Sequence, residues 1–320
     1  SSTFSEPDEL IRDASKMLPR QLYRVFYETS VTLSCYVGTE LHVQHREKPK
    51  LRLREGNAFQ AIADFSLSKD LNTERIRRHT KWQQKKHPSS YISAFNNISK
   101  FHYYDSQRIG HRVSIAEIST EGLVAATVRR TVEETVGRWQ GLDFLGKEVT
   151  TRHEKIPVWV NESIIPSDRS DIPVAQLKGS KYEMWLSITE LRRCGSDFRL
   201  ACSKGHDFEW LAAGAIPKSR ITRVMPFDGE TLHKYPELGI VRSIRRVEPY
   251  FFDYKTSTWQ LEVSDARKRK PESEARKGQK RPKTTDDVGE ESGRIPSPKP
   301  SEDVPATCPT CGHTLSEGSA

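Results

Sequence analysis

The sequence lacks the glycine-rich patterns GxGxxG and GxxxxGK[ST], so the usual loops that cradle dinucleotide or nucleotide phosphates are absent. No apolar run approaches the roughly 20 residues that are needed to span a bilayer. Cysteine is scarce, and five residues spread over 320 do not resemble a disulfide framework. These absences predict an intracellular protein in a reducing compartment, with no membrane partner.

The C-terminal part of the chain lacks aromatic residues altogether. None follows Trp259, and residues 261–320 hold seven of the eighteen prolines, many charges and hardly any large aliphatic side chains. Such a segment cannot bury enough apolar area to offset the entropy lost on ordering. We therefore predict a disordered basic tail at 263–320.

Two features of the tail carry further predictions. The stretch "RKRKPESEARKGQKRPK" (267–283) has two basic clusters, which favours a bipartite signal for the nuclear import machinery over a charge run that only keeps the chain soluble. The end of the chain, "CPTCGH", gives Cys308, Cys311 and His313 part of a zinc-ligand pattern. A structural zinc site takes four ligands and no second pair follows, so the absence of a metal is favoured.

The remaining sequence predicts an α+β domain at 19–262, preceded by an N-terminal extension at 1–18. Alternating or strongly apolar stretches predict strands, and spacings near 3.6 predict helices. The predicted strands are 20–28, 89–97, 111–120, 156–165, 219–227 and 239–252, and the predicted helices are 55–70, 73–87 and 181–194. One early strand, then helices, then many strands argues against alternating βαβ units.

Two acids lie one residue apart in "GHDFEWLAAGAIP" (205–217). In a strand, Asp207 and Glu209 would share one face while Phe208 and Trp210 occupy the other. In a helix that begins at Asp207, the same aspartate would act as the N-cap and Glu209 would lie near the positive end. Local spacing does not choose between these two hypotheses.

Three separated segments, "LYRV" (22–25), "PSSYISAF" (88–95) and "DFEWLAAGAIP" (207–217), resemble in this order the mono-ADP-ribosyltransferase fold of the Arg-Ser-Glu, enterotoxin-like type. They are closer still to a group of uncharacterised fungal domains with an "LYRV" start and an "EWL...IP" ending. The resemblance covers most of residues 20–228. It implies split mixed or antiparallel sheets with flanking helices, and NAD as co-substrate.

The resemblance also implies a role for four residues. Arg24 matches the strand arginine that binds the phosphates of NAD, and a planar guanidinium can meet two phosphate oxygens at once. Ser93 matches the serine that orients the cofactor and holds the catalytic acid. Glu209 matches the glutamate that stabilises the oxocarbenium-like centre as nicotinamide leaves. Asp207 matches the position that selects or activates an acceptor.

The chain departs from the family pattern in ways that leave a second hypothesis open. Ala94 and Phe95 follow Ser93 where the family often has Thr and Ser, and the long separation between residue 120 and Glu209 indicates an insertion within 121–190. A catalytically inactive binding or scaffold module is the alternative. Because the net charge is +8, and basic stretches occur at 45–54 and 75–86, that module would be nuclear and associated with nucleic acid.

Other candidates rank lower. Glu162 lies in a strand-like stretch but has Val160, not a polar residue, two positions before it. Four histidines, His79, His87, His102 and His111, show no ligand spacing and are expected to be surface or hydrogen-bonded residues. Two cysteines, Cys194 and Cys202, are expected to be buried thiols.

Overall fold

A computed structural model describes most of the first 261 residues. The described residues are 1–3, 7–15, 17–81, 88–98, 112–141, 143–173, 183–193, 200, 206–236, 239–243 and 250–261. Residues 1–262 form one compact unit. Several predictions concern residues outside the described ones. They are the tail at 263–320, the import signal at 267–283 and the zinc pattern of Cys308, Cys311 and His313. The same holds for His87, His102, His111, Cys194 and Cys202.

Strands dominate the described part of the chain. They are β1 (Ser2–Thr3), β2 (Gln21–Phe26), β3 (Leu33–Ser34), β4 (Asn57–Gln60), β5 (Tyr91–Phe95), β6 (Val113–Ser119), β7 (Leu123–Gln140), β8 (Asp143–Asn161), β9 (Met184–Ser187), β10 (Glu209–Ala213), β11 (Ala215–Pro217), β12 (Ile221–Phe227), β13 (Tyr250–Asp253) and β14 (Thr258–Leu261).

These strands form three sheets. The largest has the order β1-β7-β8-β9-β10-β5-β2-β6-β12, and smaller sheets have the orders β11-β4-β3 and β13-β14. Every pairing between named strands of the described chain is antiparallel. The predicted α+β class is confirmed.

Five short helices accompany the sheets in the described residues. They are α1 (Pro7–Ala14), α2 (Val43–Glu47), α3 (Leu67–Asp70), α4 (Thr73–Thr80) and α5 (Ile188–Arg193). Helix α4 begins where the side chain of Asn72 accepts a hydrogen bond from the backbone N–H of Arg75, at 2.8 Å. None of the described helices has the length and apolar character of a membrane span.

Alternate residues of the central strands enter two different cores, because successive side chains of a strand point to opposite faces. Leu211 and Ala213 of β10 lie in one core, together with Leu186 and Val158. Trp210 and Ala212 lie in the other core, beside the three-stranded sheet. The large sheet is thus covered on both faces where β10 crosses it.

Four element predictions need correction. Residues 57–60 form β4 and not a helix, because Ala58 and Phe59 are fully buried in a sheet, and only 67–70 are helical. The segment 181–194 contains strand β9 before helix α5. The predicted strand at 156–165 ends earlier, because β8 ends at Asn161 and a 3-10 turn (Glu162–Ile164) follows. In the described residues, the predicted strand at 239–252 is confined to β13.

The segment 121–190, where an insertion was predicted, contains the long hairpin of β7 and β8, whose register runs from Leu123 opposite Asn161 to Gln140 opposite Asp143. The extension at 1–18 contributes to the same unit. Strand β1 pairs with β7, and Arg12 of α1 forms an ion pair with Glu190 at 2.7 Å. Residues before position 19 therefore belong to the packed structure.

Candidate functional site

Three neighbouring strands bring Arg24, Ser93 and Glu209 together, although they lie far apart in the sequence. Strand β5 lies between β10 and β2 in the large sheet. Its Phe95 is opposite Glu209 on one side and Tyr23 on the other. The resemblance in the sequence implied that these three residues share a site, and the order of the strands makes them neighbours.

Glu209 is the first residue of β10 and is 4% exposed. Its Oε2 atom lies 2.5 Å from Nδ1 of His206, and the carboxylate also accepts a hydrogen bond from the side chain of Ser93. Burial alone raises the pKa of this carboxyl, but the hydrogen bonds from His206 and Ser93 lower it below its ordinary value. Glu209 is therefore an ionised, buried carboxylate.

The hydroxyl of Ser93 is oriented by His79 in the last turn of α4. Nε2 of His79 lies 2.8 Å from Ser93 Oγ, and Nδ1 lies 2.6 Å from Ser89 Oγ. Burial lowers the pKa of His79 to about 4, so the ring is neutral at pH 7. Since Ser93 gives its hydrogen to Glu209, His79 donates from Nε2 and accepts at Nδ1 from Ser89.

Arg24 is a buried cation at the junction of β2 and β5. These strands share one rung, Tyr23 opposite Phe95, and the Nη1 atom of Arg24 donates to the backbone oxygen of Ser93 at 2.6 Å. Nη2 donates to Thr32 Oγ1 at 2.7 Å. Burial lowers the pKa of Arg24 to about 10, which leaves it charged at pH 7.

Within the described chain, Arg24 has a hydrogen-bonding group that nothing satisfies. Its Nε atom has no hydrogen-bond partner there, and no carboxylate pairs with the guanidinium. A buried donor without a partner costs about 1–3 kcal/mol, and a charged one costs more. An anion that met this group would recover that cost.

Asp207 does not lie on the strand. Residues 207 and 208 form a turn, β10 begins at Glu209, and the carboxylate of Asp207 forms an ion pair with Arg192 of α5. The prediction that Asp207 and Glu209 share a strand face is therefore wrong, and so is the helix alternative. Asp207 remains next to the site, with its backbone oxygen 2.5 Å from Thr189 Oγ1.

Sequence reasoning missed two members of the site. His79 was expected to be a surface or hydrogen-bonded histidine and is hydrogen-bonded, but its place in the site was not predicted, and His206 was not singled out. The signal for His206 is its position three residues before Glu209. For His79 no local signal exists, because α4 must pack against β5 before the ring reaches Ser93.

Other predicted candidates lie apart from this arrangement. Glu162 is an exposed residue of the 3-10 turn that follows β8. In the described part of the chain, no group of three or more His, Cys, Asp or Glu side chains could hold a metal ion.

The arrangement offers two complementary chemistries. Arg24 supplies a fixed positive charge and an unsatisfied donor, which suit phosphate oxygens. Glu209, with Ser93 beside it, supplies a fixed negative charge, which stabilises a developing cation in a site shielded from water.

Comparisons with family models, with curated proteins and with solved structures find no match for this chain.

Proposed function

We propose that the fold is ADP-ribosyltransferase-like, and that the protein transfers ADP-ribose from NAD to a macromolecular acceptor, or to water when no acceptor is bound. The observation that carries the proposal is the convergence of Arg24, Ser93 and Glu209 on adjacent strands. The ionised state of Glu209 and the unsatisfied Nε of Arg24 support the same reading.

In the proposed reaction the bond between nicotinamide and the ribose C1′ breaks, and nicotinamide leaves with the bonding electrons. The carboxylate of Glu209 stabilises the positive charge that develops on the ribose, and Ser93 holds that carboxylate in place. Arg24 binds the pyrophosphate. An acceptor atom, or water, then bonds to C1′ and loses a proton, so that the products are ADP-ribosyl acceptor, nicotinamide and one proton.

The alternative is an inactive binding or scaffold module that associates with nucleic acid. The ion pairs of α4 do not favour it. Glu74 pairs with both Arg77 and Arg78, and Asp70 lies 3.9 Å from Arg75, so these cations already have internal partners. Nuclear localisation, with the import machinery bound at 267–283, stays a prediction.

The test uses the full chain and NAD labelled in the nicotinamide ring. We expect the wild type to release nicotinamide, and Glu209→Gln to release it about 100-fold more slowly or worse, because the amide removes the negative charge without changing the shape. Arg24→Lys keeps the charge but loses the planar fork, and we expect it to raise KM more than it lowers kcat. Glu162→Gln is the matched control and should behave as the wild type.

Absence of nicotinamide release from a folded wild-type chain, or release that Glu209→Gln leaves unchanged, contradicts the enzymatic proposal. Retention of the chain on DNA or RNA that weakens with salt, without NAD consumption, supports the alternative instead. Circular dichroism of each variant separates loss of the reaction from loss of the fold.

A further inference from the structure

The hairpin of β7 and β8 continues well beyond the large sheet. Strand β1 flanks β7 only at Thr127 and Val128, and β9 flanks β8 only at Trp159 and Val160. From Arg130 onward, the two strands have only each other as neighbours among the described residues. At about 3.3 Å per residue, this outer ribbon is roughly 30 Å long.

A two-stranded ribbon is marginally stable in water when nothing else packs on it. The outer ribbon also exposes apolar side chains, since Val136 is 42% and Val149 63% exposed. No third strand of the described chain pairs with its outer edges, and an unpaired strand edge is a template for another strand. The ribbon therefore has the properties of a strand-pairing surface.

The side chains along the β7 edge are self-complementary. A two-fold axis perpendicular to the ribbon pairs β7 antiparallel with the same strand of a second copy, and it keeps each side chain on its own face. With the axis at Val136, Glu134 lies opposite Arg138 of the partner subunit, and the reciprocal pair forms by symmetry. An axis at position 134 would instead place Glu134 opposite its own copy, and Arg130 opposite Arg138 of the partner subunit in both symmetry-related positions.

We propose that two copies of this protein associate through the β7 edge, with Val136 at the two-fold axis and Glu134 paired with Arg138 of the partner subunit. The result is a continuous four-stranded antiparallel sheet in the order β8-β7-β7-β8. All three side chains are exposed in the single chain, and Arg138 has no ion-pair partner among the described residues.

The β8 edge is a poorer candidate for the same contact. An axis at Thr150 would place Glu148 opposite Arg152 of the partner subunit, but that arginine already bonds Glu154 at 2.6 Å and lies 3.7 Å from Glu134. The same register would bring Lys147 opposite His153 of the partner subunit, which gains nothing. The β7 contact competes only with the exposed 3.7 Å pair of Glu134 and Arg152, whereas the β8 contact would draw Arg152 away from the buried carboxylate of Glu154.

Sedimentation velocity of the full chain over a concentration series tests this proposal. We expect a monomer–dimer equilibrium in the wild type. Arg138→Glu and Glu134→Arg should each weaken it at least about tenfold in dissociation constant, because both symmetry-related pairs become like-charged. The double variant E134R/R138E should regain the dimer, and an equimolar mixture of the two single variants should form a heterodimer. Lys147→Glu, with the same change of charge on the neighbouring strand, is the control.

A wild type that stays monomeric at all concentrations overturns the proposal. The proposal is also overturned if Arg138→Glu weakens the dimer no more than Lys147→Glu does. If only Lys147→Glu disrupts the dimer, the contact lies at the β8 edge. None of these outcomes depends on NAD, so the result stands apart from the test of the proposed activity.

Discussion

The Nε2 atom of His79 lies 2.8 Å from the Oγ atom of Ser93, which ties the end of a helix to the central strand of the site. Nδ1 of the same ring is 2.6 Å from Ser89 Oγ, so both ring nitrogens are used. A neutral ring can accept on one side and donate on the other, whereas a protonated ring can only donate. With the neutral ring that burial favours, the hydrogen-bond chain runs from Ser89 through His79 and Ser93 to Glu209.

We predict that folding stability falls as the pH decreases from about 6.5 to 4, in part because of His79. Its pKa is about 4 in the folded state and 6.5 without the effect of burial, so over this range the unfolded chain binds a proton that the folded chain does not. The contribution lost grows to at most about 3 kcal/mol below pH 4. Urea unfolding at a series of pH values measures it.

The matched variant for this measurement is His79→Gln, whose amide can still donate to Ser93 and accept from Ser89. We expect its stability to fall less steeply with acid than that of the wild type, because it has no proton to take up. Equal slopes for the two proteins would show that His79 does not titrate in this way.

Asp207→Asn should separate acceptor selection from bond cleavage. Because Asp207 is paired with Arg192 and does not touch Glu209 in the described contacts, we expect nicotinamide release to stay within about threefold of the wild type. We expect the share of ADP-ribose that reaches an acceptor, relative to water, to change. Product analysis with labelled NAD gives both quantities, and a loss of release as large as that of Glu209→Gln would assign Asp207 to cleavage itself.

Arg12→Ala should destabilise the domain by about 3–5 kcal/mol, since it leaves Glu190 buried without its charge partner. The guanidinium also donates to the backbone oxygens of Ala126 and Val158, at 3.0 and 3.1 Å. Urea unfolding is the measurement, with the exposed Arg77→Ala as control, for which less than about 1 kcal/mol is expected. A small effect of Arg12→Ala would mean that the ion pair with Glu190 contributes little to stability.

Leu211→Ala should cost about 2–5 kcal/mol, because this side chain is fully buried on β10 with Ser93 and Leu186 opposite it. The exposed Leu261→Ala is the control, and we expect a change of no more than about 0.5 kcal/mol there. Thermal unfolding followed by circular dichroism compares the two. Equal shifts would place Leu211 outside the stabilising core.

The sequence by itself determined the local character of several elements. Apolar, strand-like composition was enough to predict the strands around Arg24 and Ser93, and alternation predicted the strand around Ile115, because both are properties of neighbouring residues. Local spacing failed at 55–70, where Ala58, Ile62 and Phe65 have a spacing that suits a helix, and pairing with other strands decided the outcome.

Only the tertiary structure decided how the candidate site is assembled. Arg24 and Ser93 are 69 residues apart, and Glu209 lies further still, so strand order and register had to bring them into contact. The same holds for His79, whose role depends on where α4 packs, and for Asp207, which an ion pair with Arg192 holds in a turn before the strand begins. Local patterns specify which face a side chain takes, but contacts between distant segments depend on the packing of the whole domain.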